Sequence, residues 1–98
     1  MSELTFEWDQ TKADSNIKKH GISFEEAQSV FDDIHARLIT DPESSYGEER
    51  FIILGQNAEL KVLVICHCYR EANDRIRIIS ARKADKHERK QYEVFKYA

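Results

Sequence analysis

Few residues in this 98-residue sequence are of the kind that staple or interrupt a chain: two cysteines, one proline and three glycines. Cys66 and Cys68 stand two apart in an apolar run. On a strand that spacing is too extended for an easy mutual disulfide, and two thiolates do not close a zinc site. They read as small buried residues. Also lacking is any apolar run near the roughly 20 residues that a membrane helix needs. The first residues, Met1-Ser2-Glu3-Leu4, are acidic and carry no apolar signal core. A cytoplasmic protein without membrane contact is expected. No repeat, low-complexity tract or linker divides the chain, so 1–98 is expected to form one domain. A general basic excess is missing too. The net charge is −3, whereas a protein that coats DNA is more often basic throughout.

That balance hides a division. Residues 1–60 carry five Lys/Arg against thirteen acids, a charge of −8, and residues 61–98 carry ten against five, a charge of +5. A localised basic surface on an acidic body follows. The densest stretch is Asp74-Arg75-Ile76-Arg77-Ile78-Ile79-Ser80-Ala81-Arg82-Lys83-Ala84. Its isoleucines favour a buried strand, yet arginine and lysine are seldom buried unless paired. One part of this strand must therefore meet water, acidic side chains or an anionic ligand.

Helix signals come early and late. Asp9 can cap a helix running to about Lys19, which Gly21 can end in the left-handed conformation. Ser23 and Glu26 have capping-box spacing, and Phe24, Ala27, Val30 and Phe31 mark one face of a second helix to residue 33. Asp85 and Glu88 repeat the spacing and open a last helix to about Tyr97. Its apolar face is weak, with Tyr92, Val94 and Phe95 as anchors, which suits an edge position or a partner. Strands are expected at 36–40, 50–54, 60–70 and 75–82, with a loop over 41–47 and turns at 55–57 and 71–74. Thr5 to Trp8 is a first strand or an extended lead-in. The fold class is α+β: an N-terminal helical hairpin packed on a four-stranded antiparallel sheet, with a C-terminal helix.

Pairing Arg70 with Arg75 sets His67 opposite Ile78 and Ile65 opposite Ser80. Arg70, Arg75 and Arg77 then share one face, and His67, Tyr69, Ser80 and Arg82 the other, unless a bulge re-aims them. Arginine grips phosphate with a bidentate fork and stabilises charge growing on phosphorus, lysine acts as a point charge, and histidine moves protons near neutrality. Aromatic rings stack on unpaired bases. Lys19, His20, His67, Tyr69, Arg70, Arg77 and Arg82 supply these types, with Lys83 and Trp8 as further RNA contacts. No metal-site spacing occurs and no cofactor is expected. RNA brings its own nucleophile, the 2′-hydroxyl, so cleavage can proceed without metal. Bland readings stand beside these. His67 also suits a core position, His20 the C-terminal end of its helix, and Trp8 a core anchor. A binding module that uses the same basic face without cleaving RNA is the alternative function.

Phe6-x-Trp8-Asp9, Asn16-x-x-Lys19-His20-Gly21-Ile22-Ser23-Phe24-Glu25-Glu26-Ala27, Val30-Phe31, Arg77-Ile78-Ile79-Ser80-Ala81-Arg82-Lys83-Ala84, Glu88 and Tyr92 resemble the BrnT family over nearly the whole chain. The resemblance implies a RelE-like fold and a type II toxin acting as an endoribonuclease that arrests translation. It implies a BrnA-like ribbon-helix-helix antitoxin, through which operator DNA is bound. The family's functional cations map onto Lys19, Arg70 and Arg82. His67 and His20 are added from their chemistry. The acidic balance departs from a ribosome-bound nuclease and favours free RNA as substrate.

Overall fold

Each helix begins where a side chain takes up backbone N–H groups that the helix itself leaves free. The Asp9 carboxylate accepts from Thr11 N–H at the start of α1, Gln10–His20, and Gly21 closes it with φ 70°. Ser23 and Glu26 form the expected capping box before α2, Phe24–Ala27, and Asp85 and Glu88 form another before α3, Lys86–Lys96. The computed structural model describes residues 4–41, 49–70 and 74–97. The strands are β1 Thr5–Glu7, β2 Arg37–Thr40, β3 Phe51–Gln56, β4 Val62–Arg70 and β5 Arg75–Lys83.

The second helix is shorter than its sequence pattern. After Ala27 the chain tightens into a 3-10 segment over Gln28–Asp32. The Glu26 carbonyl there accepts from the Ser29 hydroxyl and the Asn57 amide, both at 3.4 Å. The apolar pattern of Val30 and Phe31 is still used, because both pack on the core.

The sheet has five strands in the order β1-β5-β4-β3-β2. The four consecutive strands are antiparallel as expected, but β1 adds to them parallel to β5, so the sheet is mixed. The parallel strand is accessible because α1 and α2 intervene between β1 and the rest of the sheet. The turn expected at 55–57 lies later. Asn57 organises it by accepting from Glu59 and Lys61 N–H, and Leu60 takes φ 67°. Gly55 instead lies in β3, where an added Cβ would meet Ala36 Cβ at 2.8 Å and Val30 Cγ1 at 2.9 Å. Glycine there permits close approach of the 3-10 segment, not a turn. The expected 41–47 loop and 71–74 turn lie, apart from Asp41 and Asp74, outside the described residues.

One sheet face carries the core. Ile22, Phe24, Leu63, Ile65, Ile76 and Ile78 are fully buried there with Ala13, Ala27, Val30 and Ala81. Each large aliphatic or aromatic side chain among them contributes about 1.5–3 kcal/mol of burial. At one end sits an aromatic group in which His67 meets Phe31 at 4.8 Å and Tyr69 at 5.2 Å between ring centroids. Trp8 stands edge-on to Phe24 at 5.8 Å. Neither Cys66 nor Cys68 is in a disulfide; the first is half-buried and the second buried. Burial, followed by the Asp41 carboxylate, pushes the Cys66 thiol up to about 11.

Candidate nucleic-acid interface

The face away from α1 and α2 carries the cations, and a β-bulge decides which ones. Arg70 pairs with Arg75 and His67 with Ile78 as expected, but Ile65 pairs with Ala81 and not with Ser80. The register shifts between Cys66 and His67, so that Ile79 is left over on β5. The extra residue turns Ala81 into the core and re-phases everything beyond it. Arg82 and Ser80 therefore join Arg70, Arg75 and Arg77 on the outer face, where uninterrupted alternation had put them opposite.

None of these guanidinium groups stands alone. Glu7 of β1 lies beside three of them, with Arg77 at 3.0 Å, Arg75 at 3.4 Å and Arg70 at 3.9 Å. One carboxylate thus serves three arginines at once. Arg82 forms a two-pronged pair with Glu88, Nη1 to Oε1 at 2.8 Å and Nη2 to Oε2 at 2.9 Å. That fork holds the Glu88 carboxyl down at about 2. It also ties α3 to the sheet, because Glu88 simultaneously caps the helix through Asp85 N–H. Both pairs remain partly solvated, with Arg70 and Arg82 side chains 46% and 42% exposed.

Lys19 and His20 lie elsewhere, on the last turn of α1. They line a cleft of about 180 Å³ with Lys12, Ile79 and Ser80. Its floor is set by Asn16, buried between α1 and β5. Asn16 Nδ2 donates to Ala81 O at 2.7 Å and to Ile22 O at 2.9 Å, and Oδ1 accepts from Ala81 N–H at 3.1 Å. The amide thus does for Ala81 what a neighbouring strand would do, beyond the point where β1 stops. Ser80 lines the cleft and Arg82 follows two residues on, about 7 Å along the strand. The cleft and the arginine face are therefore adjoining surfaces of β5.

His67, expected to share a face with Ser80 and Arg82, is separated from them by the bulge. Its side chain is fully buried, with Nδ1 3.3 Å from Ile65 O and Nε2 3.3 Å from the Tyr69 hydroxyl. Desolvation lowers its pKa to about 4. The enclosed imidazole is on the core face, away from the arginines of the outer face. Tyr69 and Trp8 are likewise packed against the core, though only partly buried. Lys83 is exposed at the end of β5. Glu7 and Glu88, which organise the arginines, went unread as site residues. Glu88 is visible in the sequence as a capping residue and within the family resemblance, and Glu7 needs a parallel strand that no local pattern announces. Among the described residues, no three His, Cys, Asp or Glu side chains gather as metal ligands would.

His67 carries a pH prediction. Its folded pKa lies below the ordinary 6.5, so its contribution is complete above about pH 6.5 and is lost as pH falls towards about 4. Stability should decline across that window by up to about 1.4 kcal/mol per pH unit from this group. His67→Phe should remove this component of the slope. Urea midpoints measured from pH 7 to 4 test it, and an unchanged slope refutes the assignment.

A family model described as "Ribonuclease toxin, BrnT, of type II toxin-antitoxin system" matches residues 8–88. The chain belongs to the BrnT family. The matched span includes the α1 cleft, the β4–β5 hairpin and Glu88, and begins just after Glu7. The BrnT ribonuclease toxin of Brucella abortus, a crystal structure, shares the fold with a TM-score of 0.64 at 20% identity. The similarity covers 85% of this chain and 99% of that one. The sequence matches no curated protein. As in that BrnT structure, helices and sheet form an α+β unit, and no helix among the described residues is long and apolar enough to cross a membrane.

Proposed function

We propose that this chain is the toxin of a type II pair, a metal-independent endoribonuclease of RelE-like architecture that arrests translation in the cytoplasm by cleaving RNA. A BrnA-like ribbon-helix-helix antitoxin neutralises it and carries the complex to operator DNA. One observation supports this reading above others: the bulge at Ile79 puts Arg82 on the same face as Arg70 and Arg77, beside the Lys19–His20 cleft.

In this reading Lys19, Arg70, Arg77 and Lys83 hold phosphates. Arg82 stabilises charge on the phosphorane once its fork turns from Glu88 to phosphate. His20, exposed on the rim of the cleft, moves the proton in place of the buried His67. The RNA 2′-oxygen attacks the adjacent phosphorus, its proton passes to a base, and the 5′-oxygen leaves with a proton. The products are a 2′,3′-cyclic phosphate and a 5′-hydroxyl. Aromatic stacking would require Tyr69 or Trp8 to present a ring edge or face from the core margin.

The experiment is incubation of purified protein with labelled RNA in EDTA. Cyclic-phosphate ends support the enzyme. RNA that is bound but intact supports the second reading, a non-catalytic module acting only with its antitoxin. That second reading has its own observation in favour: Arg82 is already matched to a carboxylate inside the protein.

A further inference from the structure

The opposite edge of the sheet has an unrelated feature. The strand order makes β2 the outer strand, and among the described residues it pairs only with β3. All four of its residues are exposed. An exposed edge with apolar side chains is a template for another chain and is normally blunted or covered. Here it is neither charged throughout nor bulged. Beside it runs a groove of about 460 Å³ lined by Arg37 and Ile39 of β2, Leu54 of β3, and Gln91, Val94 and Phe95 of α3.

Of nine large hydrophobic residues exposed among the described ones, three, Ile39 of β2 with Val94 and Phe95 of α3, line this groove together. Leu38, next to Ile39 on β2, lies on the opposite face of the sheet. Scattered singly such residues need no explanation, but contiguous ones mark an interaction surface. Three cations stand near the groove, with Glu93 as an acid on the same stretch of α3. The Arg37 guanidinium lies 3.9 Å from the Phe95 ring centroid, Lys90 stands one turn before Val94, and Lys96 reaches Gln56.

We infer that the β2 edge and the α3 groove together form the seat of an acidic, extended segment of the antitoxin, which adds a sixth strand to the sheet and sets alternate apolar side chains into the groove. The identity of the partner rests on the toxin–antitoxin reading; the surface does not. Backbone pairing supplies affinity in such an arrangement, and the pockets supply register. An acidic segment answers Arg37, Lys90 and Lys96. A second copy of this chain would bring the same cations against themselves, which disfavours self-pairing at this edge.

The test uses the complex of this chain with its cognate antitoxin. Ile39→Glu and Val94→Glu change exposed residues and should leave thermal melting in place. Each should weaken antitoxin binding at least tenfold, and in the wild-type complex the β2 amides that do not pair with β3 should gain hydrogen-exchange protection. Unchanged affinity in both variants overturns the inference, while the antitoxin's binding to wild type keeps the toxin–antitoxin reading intact. Weakened affinity without β2 protection overturns strand addition. Doubling of mass and β2 protection without antitoxin would make a second copy the occupant, and would also overturn it. If no antitoxin binds the wild type, the reading of the system fails, and with it the named partner.

Discussion

Asn16→Ala should lower the folding stability by about 3 kcal/mol, since each buried polar group left unpaired costs about 1–3 kcal/mol. Asn16 is 6% exposed and its side chain satisfies three backbone groups, Ala81 N–H, Ala81 O and Ile22 O. Alanine abandons all three and leaves a void beneath α1. Because a domain of this size has only about 5–15 kcal/mol in total, the midpoint of thermal unfolding should fall by about 12–24 °C. Asn16→Asp should be no better. It keeps the acceptor for Ala81 N–H but loses both donated bonds and buries a charge beside two carbonyls. Urea unfolding followed by the single tryptophan, Trp8, reads the loss. A change below about 1 kcal/mol would mean that water replaces the amide and that Asn16 is not the clamp between α1 and β5.

Arg82→Ala and Glu88→Gln should move RNA cleavage in opposite directions. Arg82 is the outer-face arginine nearest along the chain to Ser80 of the cleft. Its loss should lower the cleavage rate by about 10²–10³-fold, the cost of one donor aimed at developing charge. Glu88→Gln removes the competing carboxylate while a glutamine still completes the capping box, so RNA binding should tighten several-fold. The salt dependence should steepen by roughly one phosphate contact. Filter binding and single-turnover cleavage at two salt concentrations measure both. If Arg82→Ala cleaves as wild type does, Arg82 only fastens α3 to the sheet. The pair also has an acid signature. Glu88 titrates near 2 instead of 4.5, so its stabilisation is complete above about pH 4.5 and disappears as pH falls through about 2. The effect on stability should be small, because the Arg82 side chain is 42% exposed and solvent screens the pair.

The boundary between what was legible in the chain and what was not runs through particular residues. Capping at Asp9, Ser23 and Asp85 was readable because a helix start depends on groups within four residues of one another. The termination at Gly21 and the β4–β5 pairing from Arg70–Arg75 to His67–Ile78 were readable for the same reason of proximity. The Gly55 misreading shows the limit. A glycine that ends a strand and one that admits Val30 and Ala36 look the same until the distant neighbours are known. His67 shows another. Its type fits proton transfer, but its face is set by β4's alternation against a core that only the packed sheet defines.

Composition and local spacing by themselves determined the α+β class, the helix starts, the antiparallel hairpin and the concentration of cations in the last third of the chain. They could do so because each depends on short-range sterics or on a simple charge count. Tertiary structure alone decided that β1 lies parallel to β5 and brings Glu7 to three arginines, and that one unpaired residue turns Arg82 outward. It also decided that the Arg82 fork is held by Glu88. Those outcomes depend on contacts between residues up to 70 positions apart and on a bulge whose side-to-side consequence no local propensity encodes.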